Sequence, residues 1–141
     1  MATFTATAAQ SNSPAKFIEN GVIARSCIWT FSAAAASAGD VVQMLRIPSG
    51  AHVHDVSLIQ TFNAASSTFA CNVGDGGVAA RYILSATANA TIVRATVGLG
   101  YSYSAEDTID ITIATAASAS VGATVRVTVL YSMDQAPDGN S

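Results

Sequence analysis

The sequence predicts an all-β protein made of one domain. Short runs of β-branched and aromatic residues recur along the chain, Gly, Pro, Asp and Ser separate them, and no segment has the apolar spacing of an amphipathic helix. A chain of 141 residues can bury one hydrophobic core but is short for two. About eight antiparallel strands can be delimited, and that number favours a jelly-roll-like β-sandwich.

The composition divides the chain into three regions. Residues 1–20 are small and polar and predict an extended N-terminal arm, residues 21–131 hold the strands of the sandwich, and residues 132–141 predict a flexible C-terminal tail. The arm alternates small and β-branched residues and has no evident partner within the chain. It could therefore add a strand to the open sheet edge of a neighbour. A frayed terminus is the alternative.

The first strand of the sandwich follows Gly21 in the run VIARSCIWTF. Period-2 alternation gives this strand one apolar face. That face consists of Ile23, Cys27, Trp29 and Phe31 and is interrupted by Arg25. The run SAAAASAG that follows has no large apolar residue to pack, so it predicts a loop.

A hairpin is predicted next. In the run VVQMLRI one side carries Val41, Gln43, Leu45 and Ile47, and the turn tripeptide PSG closes the strand. The long run AHVHDVSLIQTF then predicts the second strand of the hairpin. One face of that strand carries His52, His54, Val56, Leu58 and Phe62.

The middle of the chain predicts a second hairpin. Phe69, Cys71 and Val73 share one face in STFACNV. The GDGG segment at 74–77 predicts a tight turn whose glycines take positive φ. The run ARYIL is a short strand, and SATANATIV is ambiguous.

Three further strands complete the set. RATVGLGYSYS predicts a strand with Gly98 and Gly100 on one face, where another backbone or a large ring could approach. Its other face carries Val97, Leu99, Tyr101 and Tyr103. TIDITIA and GATVRVTVLY each place β-branched apolar residues on one face and polar residues on the other, which is typical of half-buried strands.

Charge is scarce in this chain. Half of the residues are apolar and 11% are charged, well below the usual quarter, so the surface is one that a partner would cover. The net charge is −3 and the six basic residues form no cluster. No nucleic-acid partner is expected, because phosphate binding needs a basic patch. No membrane partner is expected, because no stretch approaches twenty apolar residues.

No catalytic, cofactor-binding or metal site is predicted, and no cofactor is expected. The serines lack the surroundings of a catalytic nucleophile, and GDGGVA precedes a strand where a dinucleotide site requires a helix. His52 and His54 could share a metal only with a third ligand from elsewhere, so a pair at a sheet edge or interface is favoured. Cys27 and Cys71 are favoured as buried residues, with a disulfide or metal ligation as alternatives.

Two surface features are predicted. Glu106, Asp107 and Asp110 form the densest acidic cluster; solvated carboxylates at a strand start are favoured, and contact with a basic partner is the alternative. The candidate interface residues are Phe4, Trp29, His52, His54, Tyr101 and Tyr103. Large amphipathic rings supply much of the energy of an interface, although Trp29 and the two tyrosines could equally belong to the core.

One part of the sequence resembles a known group of proteins. The hairpin GDV…L.IP.GA.V over residues 39–53 and the turn and strand VGDG…RY that follow by residue 83 are similar to a pattern of small tailed-phage virion proteins. The resemblance is closest to the jelly-roll cement, or decoration, proteins that bind outside the capsid shell. It covers about a third of the chain and carries no catalytic residues.

This resemblance implies a function. A cement protein would form small oligomers, with a homodimer favoured and a trimer possible, where subunits of the major capsid protein meet. It would be made in the host cytoplasm, lie on the exterior of the virion and have no enzymatic activity. The alternative is a phage receptor-binding or carbohydrate-binding jelly-roll module. A small enzyme on a cupin-like barrel is disfavoured, because two histidines are too few for its metal site.

Overall fold

Nine β-strands form two sheets in the computed structural model, which describes residues 1–6, 21–31, 37–61, 69–115 and 123–133. The strands are β1 (Thr3–Thr5), β2 (Val22–Thr30), β3 (Val41–Ile47), β4 (Ala51–Thr61), β5 (Ala70–Asp75), β6 (Ile83–Ala86), β7 (Ile92–Arg94), β8 (Asp107–Thr115) and β9 (Thr124–Met133). The all-β prediction is confirmed. Within these ranges, no helix is long and apolar enough to cross a membrane.

The two sheets divide the strands in jelly-roll order. The four-stranded sheet has the order β2-β9-β4-β7, and the five-stranded sheet has the order β1-β3-β8-β5-β6. Strands β2 to β9 thus form the eight-stranded arrangement of a jelly roll, as predicted. All pairs among these eight strands are antiparallel, and the added strand β1, which lies in the predicted arm, pairs in parallel with β3.

The core lies between the two sheets and is fully closed to solvent. Both sheets contribute residues that are 0% exposed, mainly β-branched residues with period-2 spacing. Each such side chain contributes roughly 1.5–3 kcal/mol by leaving water. Prominent members are Val42, Ile47, Val53, Val56, Val73, Ile109, Ile111, Val125, Val127 and Val129.

Part of the N-terminal arm is paired within its own chain. Thr3–Thr5 pairs with Val41 to Gln43, and the N–H of Ala2 donates to Oδ1 of Asp40 over 2.9 Å. The prediction that the arm has no internal partner is therefore wrong for these residues. Residues 132 and 133, which were predicted as part of the C-terminal tail, belong to β9. Residues 7–20 and 134–141 lie outside the described residues.

The predicted hairpin of β3 and β4 is wrong, because the two strands lie in different sheets and do not pair with each other. A β-bulge in each strand also reverses the predicted side-chain alternation. The register shifts between Gln43 and Leu45 in β3 and between Val53 and Asp55 in β4. A bulge adds one residue to a strand, so positions before and after it exchange faces. The predicted common faces are therefore wrong. In β3 the buried residues are Val42, Met44, Leu45 and Ile47, and in β4 the two histidines lie on the face opposite Val56 and Leu58.

Residues 94–104 were predicted as a strand, but only Arg94 belongs to one, at the end of β7, and the remainder is a loop that runs beside β4. The N–H of Val53 donates to the carbonyl of Tyr101 over 3.0 Å, but strand-like pairing is limited to one isolated bridge between His52 and Ser102. Gly98 and Gly100 have φ of +73° and +89°, in the left-handed region that interrupts a strand. By contrast, none of the GDGG glycines has positive φ, so that turn prediction is wrong.

Candidate interaction surface

Two loops meet at one end of the sandwich and form what we call the apolar tip. The first is residues 76–82, between β5 and β6, and the second is residues 95–103, which follow β7. The loops touch where Gly98 lies against the backbone of Arg81. A Cβ at position 98 would lie 2.3 Å from the Arg81 carbonyl oxygen, so only glycine permits this contact.

The first loop also folds back on the strand it leaves. A Cβ at Gly74 would lie 2.1 Å from the carbonyl oxygen of Val78. Glycine is therefore required at position 74 because two stretches of backbone pack closely there. The sequence had predicted a different reason, namely positive φ. Loop 76–82 is consequently held against β5.

A buried carboxylate at the base of the tip organises the first loop. Asp75 is 4% exposed, and its Oδ1 accepts the N–H groups of Gly77 and Val78 over 3.0 and 2.8 Å. The guanidinium of Arg81 pairs with the same carboxylate. Burial by itself would raise the pKa of Asp75, but these hydrogen bonds outweigh it and lower the pKa. The carboxylate is therefore charged while it holds the loop.

Two tyrosines connect this carboxylate to the second loop. The Tyr103 hydroxyl donates to Oδ2 of Asp75 over 2.8 Å and lies 2.8 Å from the hydroxyl of Tyr82. Burial raises the pKa of Tyr82 to about 12 and also raises the pKa of Tyr103. Both hydroxyls therefore remain protonated and available as donors. The two loops are thus fixed to each other through side chains as well as backbone.

The surface of the tip is apolar. The Cζ of Arg81 lies 3.7 Å from the ring centroid of Tyr101, a cation–π contact that covers the charge. In the same two loops Val78, Val97, Leu99 and Tyr101 are 47%, 57%, 43% and 37% exposed. Large apolar residues that are exposed together on a rigid support are typical of interaction sites.

The structure places the six predicted interface residues in two groups. His52, His54, Tyr101 and Tyr103 lie on β4 and the loop beside it. Tyr101 is exposed, but Tyr103 is 4% exposed and part of the core, so we remove it from the interface candidates. Phe4 and Trp29 lie on β1 and β2, with ring centroids 6.1 Å apart, and are half-buried.

The two histidines form a surface pair. Their ring centroids are 5.1 Å apart. Nδ1 of His52 lies 2.7 Å from Oγ of Ser102, and Nε2 of His54 lies 2.7 Å from Oγ of Ser132. Across the described ranges, no group of three or more His, Cys, Asp or Glu residues could hold a metal ion.

Both cysteines are free. Cys71 is buried with its Sγ 3.1 Å from Oε1 of Gln60, and burial raises the pKa of its thiol to about 12. Cys27 lies half-buried in β2. The disulfide considered from the sequence is thus not formed.

The acidic cluster is only partly solvated. Asp110 is 5% exposed, and its Oδ1 has no hydrogen-bond partner among the described residues. The pKa of Asp110 is raised to about 6, mainly by burial; a hydrogen bond with Thr108 lowers it, and the charges of Asp107 and Asp75 raise it. The prediction of a solvated carboxylate is wrong for Asp110, because loop 76–82 covers neighbouring Gly74.

Sequence reasoning missed Asp75 and Arg81 as the residues that organise the tip. A signal was present, because Arg81 follows Asp75 by six residues across a glycine-rich segment. Val97 and Leu99 were predicted to share one face of a strand, whereas in the structure they lie in a loop. Their exposure depends on contact between two loops that are distant in sequence, which no local pattern indicates.

The fold is shared with chains in phage capsid structures. Neither a protein-family model nor a curated protein matches the chain. A chain of the cyanophage Pam1 capsid asymmetric unit is 27% identical, with a TM-score of 0.72 over 89% of this chain and 94% of that chain. A chain in the capsid of Ralstonia phage GP4 is 18% identical, with a TM-score of 0.79 over 96% of this chain and 100% of that chain.

A third structure extends this comparison. A chain in the acid-stable capsid of Helicobacter pylori bacteriophage KHP30 is 19% identical, with a TM-score of 0.60 over 78% of this chain and 86% of that chain. The likenesses to the GP4 and KHP30 chains, which are less than 20% identical in sequence, concern the fold alone. The resemblance to phage capsid proteins that residues 39–83 indicate is confirmed.

Proposed function

We propose that this chain is a structural protein of a phage virion, without enzymatic activity, that binds the outside of the capsid. There it stabilises contacts between subunits of the major capsid protein, as a cement or decoration protein. It acts as a homo-oligomer, with a dimer favoured. It is made in the host cytoplasm and carried on the exterior of the virion.

The observation that carries this proposal is the extent of the match to the Pam1 capsid chain. The alignment covers 89% of this chain and 94% of that one, so the two chains are of similar length and each consists of the same sandwich. The Pam1 chain is therefore itself a small chain made of this sandwich and is not one module of a large shell protein. A small separate chain in a capsid is consistent with a protein that binds a shell built by others.

The apolar tip supports the proposal and is its contact surface. Its four exposed apolar side chains lie on loops that the Asp75 network fixes, so little conformational entropy is lost on binding. The one charged group at its centre, Arg81, is paired with Asp75 and covered by Tyr101. Such a surface favours an apolar protein surface as its partner.

Co-sedimentation with capsid shells that lack this protein tests the proposal. The protein is expected to pellet with the shells and to saturate them at a fixed stoichiometry. Val97→Asp places a charge in the tip and should abolish this binding. Ile92→Asp on β7 is the matched control, because Ile92 and Val97 are both 57% exposed; it should bind as the unmodified protein does.

Two results would contradict the proposal. If the protein fails to bind shells and instead binds members of a glycan array, the receptor-binding alternative is correct. If Val97→Asp and Ile92→Asp bind shells equally well, the protein uses a surface other than the tip.

A further inference from the structure

The four outer strands of the two sheets differ greatly in length. β1 has three residues, β6 has four and β7 has three, whereas β2 has nine. An outer strand presents unpaired N–H and C=O groups that can pair with a strand of another chain, and proteins commonly prevent such aggregation by keeping their outer strands very short. Strands β1, β6 and β7 are short in this way, and β2 is the exception.

One long edge of β2 is open. All nine residues pair with β9 in an unbroken antiparallel register, so the strand is straight and contains no bulge. Among the strands that the structure describes, none pairs with its other edge. On the same side of the sandwich β1 lies against the outer edge of β3, so within the described residues the neighbouring edge is covered and the longer one is unpaired.

The sequence of β2 contains little that would repel another strand. It has no proline and no lysine, and its single charged residue is Arg25. An inward-pointing charge can protect an edge, but Arg25 is half-buried and interacts with Tyr131 inside its own chain. The edge is thus available to a partner strand.

The outward side chains of β2 fit a copy of the same strand. They are Val22, Ala24, Ser26, Ile28 and Thr30, none of which is charged. When a strand pairs antiparallel with its own copy about a two-fold axis, these side chains lie opposite one another. No like charges would meet, and Val22 and Ile28, now 60% and 51% exposed, would gain apolar neighbours.

We propose that β2 pairs antiparallel with β2 of a second copy, so that two four-stranded sheets become one continuous eight-stranded sheet. A nine-residue strand offers a ladder roughly 30 Å long. This inference rests on the homodimer in the proposed function and identifies its contact surface. Because β7 lies at the opposite edge of the sheet, the apolar tip of each copy stays free to bind another partner.

Cysteine cross-linking of the purified full-length chain tests this geometry without any shells. Ala24→Cys, Ser26→Cys and Ile28→Cys are each made in a Cys27→Ser background, and light scattering first measures the mass. A dimer is expected. Under mild oxidation most of the protein should form a covalent dimer in one sample, which is either a single variant or a mixture of two adjacent variants. The sample that cross-links identifies the position of the two-fold axis along β2.

Thr128→Cys in β9 is the matched control. Thr128 lies beside Ser26 on the same face, one strand further from the edge. In the proposed dimer three strand spacings, roughly 14 Å, separate its two copies, and a disulfide requires Cα atoms within about 7 Å. It should therefore remain uncross-linked.

Several results would overturn the inference. A monomer would do so, as would a dimer in which no β2 variant or mixture cross-links. Cross-linking through Thr128→Cys would instead indicate that the sheets pack face to face. Failure of the shell-binding function gives a different result: the β2 cross-link forms, but the dimer does not sediment with shells.

Discussion

At the residue scale, a single carboxylate joins two loops that are distant in the sequence. Asp75 accepts hydrogen bonds from its own loop and from Tyr103, which lies 28 residues further along the chain. A buried carboxylate without these donors would be strongly destabilising. The tip therefore depends on a few polar contacts beneath its apolar surface.

Tyr103→Phe removes the hydroxyl that donates to Asp75 while keeping the ring. Hydrogen bonds to charged groups contribute about 1.5–3 kcal/mol, and we expect the free energy of unfolding to fall by about that amount in urea denaturation. Tyr101→Phe, at an exposed tyrosine of the same loop, should change it by less than about 0.5 kcal/mol. Equal effects of the two substitutions would show that the Asp75 network does not stabilise the tip.

Asp110 makes stability depend on pH. Its folded-state pKa, about 6, lies above its ordinary value of 3.8, so the folded state keeps a proton that the unfolded state has released. Its contribution is therefore fully present below pH 3.8 and is lost as pH rises through 6. Asp110→Asn should raise the free energy of unfolding at pH 7 by on the order of 1 kcal/mol.

The comparison of Asp110→Asn with the unmodified protein should be made by urea denaturation at several pH values. The advantage of the asparagine variant is expected to shrink as the pH falls from 7 and to vanish near pH 4. An advantage that stays constant over this range would mean that the Asp110 carboxylate is not responsible.

At the element scale, Gly98 and Gly100 are required for different reasons. Both have positive φ, but a Cβ at Gly98 would collide with the backbone of Arg81, whereas a Cβ at Gly100 would have none of the described atoms within 4 Å apart from those of its chain neighbours. The loop conformation explains the need for glycine at both positions. The contact between the two loops adds a second requirement at Gly98 alone.

Gly98→Ala and Gly100→Ala make this difference measurable. Gly100→Ala should lower the free energy of unfolding by about 1–2 kcal/mol, because it places a side chain in the left-handed region. Gly98→Ala should lower it further, because the loops must also separate, and it should weaken shell binding. Urea denaturation and co-sedimentation check both expectations, and equal losses of stability would contradict the loop contact.

The elements show what the sequence could and could not predict. Alternation identified β2 and β9 correctly, because in these strands an unbroken period of 2 accompanies burial of one face. It also located β5 and β8, although burial in these two strands does not follow a strict period of 2. It failed in β3 and β4, where a single inserted residue exchanges the faces without leaving a compositional trace. It also failed at 95–103, where apolar residues alternate but two positive-φ glycines bend the chain away from a sheet.

At the scale of the whole molecule, three ion pairs within the chain use part of its small number of charged residues. Arg46 pairs with Glu106, Arg81 with Asp75, and Arg94 with Asp55. These pairs account for three of the six basic residues. At the tip, Arg81 is paired with Asp75 and covered by Tyr101, so its charge is partly neutralised where the apolar side chains are exposed.

Binding to shells should therefore depend little on salt. Screening weakens contacts between exposed charges, but the tip presents mainly apolar side chains. We expect the dissociation constant from co-sedimentation to change by less than about twofold between low and physiological ionic strength. A steep decrease of affinity with salt would indicate that charged residues outside the tip carry the interaction.

The position of β9 has a consequence for how the protein is made. β9 lies between β2 and β4 and is the last of the described strands in sequence order, so these two have no common neighbour until Met133 has left the ribosome. Pairing over such a long sequence separation is slow, and the four-stranded sheet can form only after β9 has been synthesised. The free edge of β2 therefore becomes an ordered template only when the sheet is complete, which delays self-association until the subunit has folded.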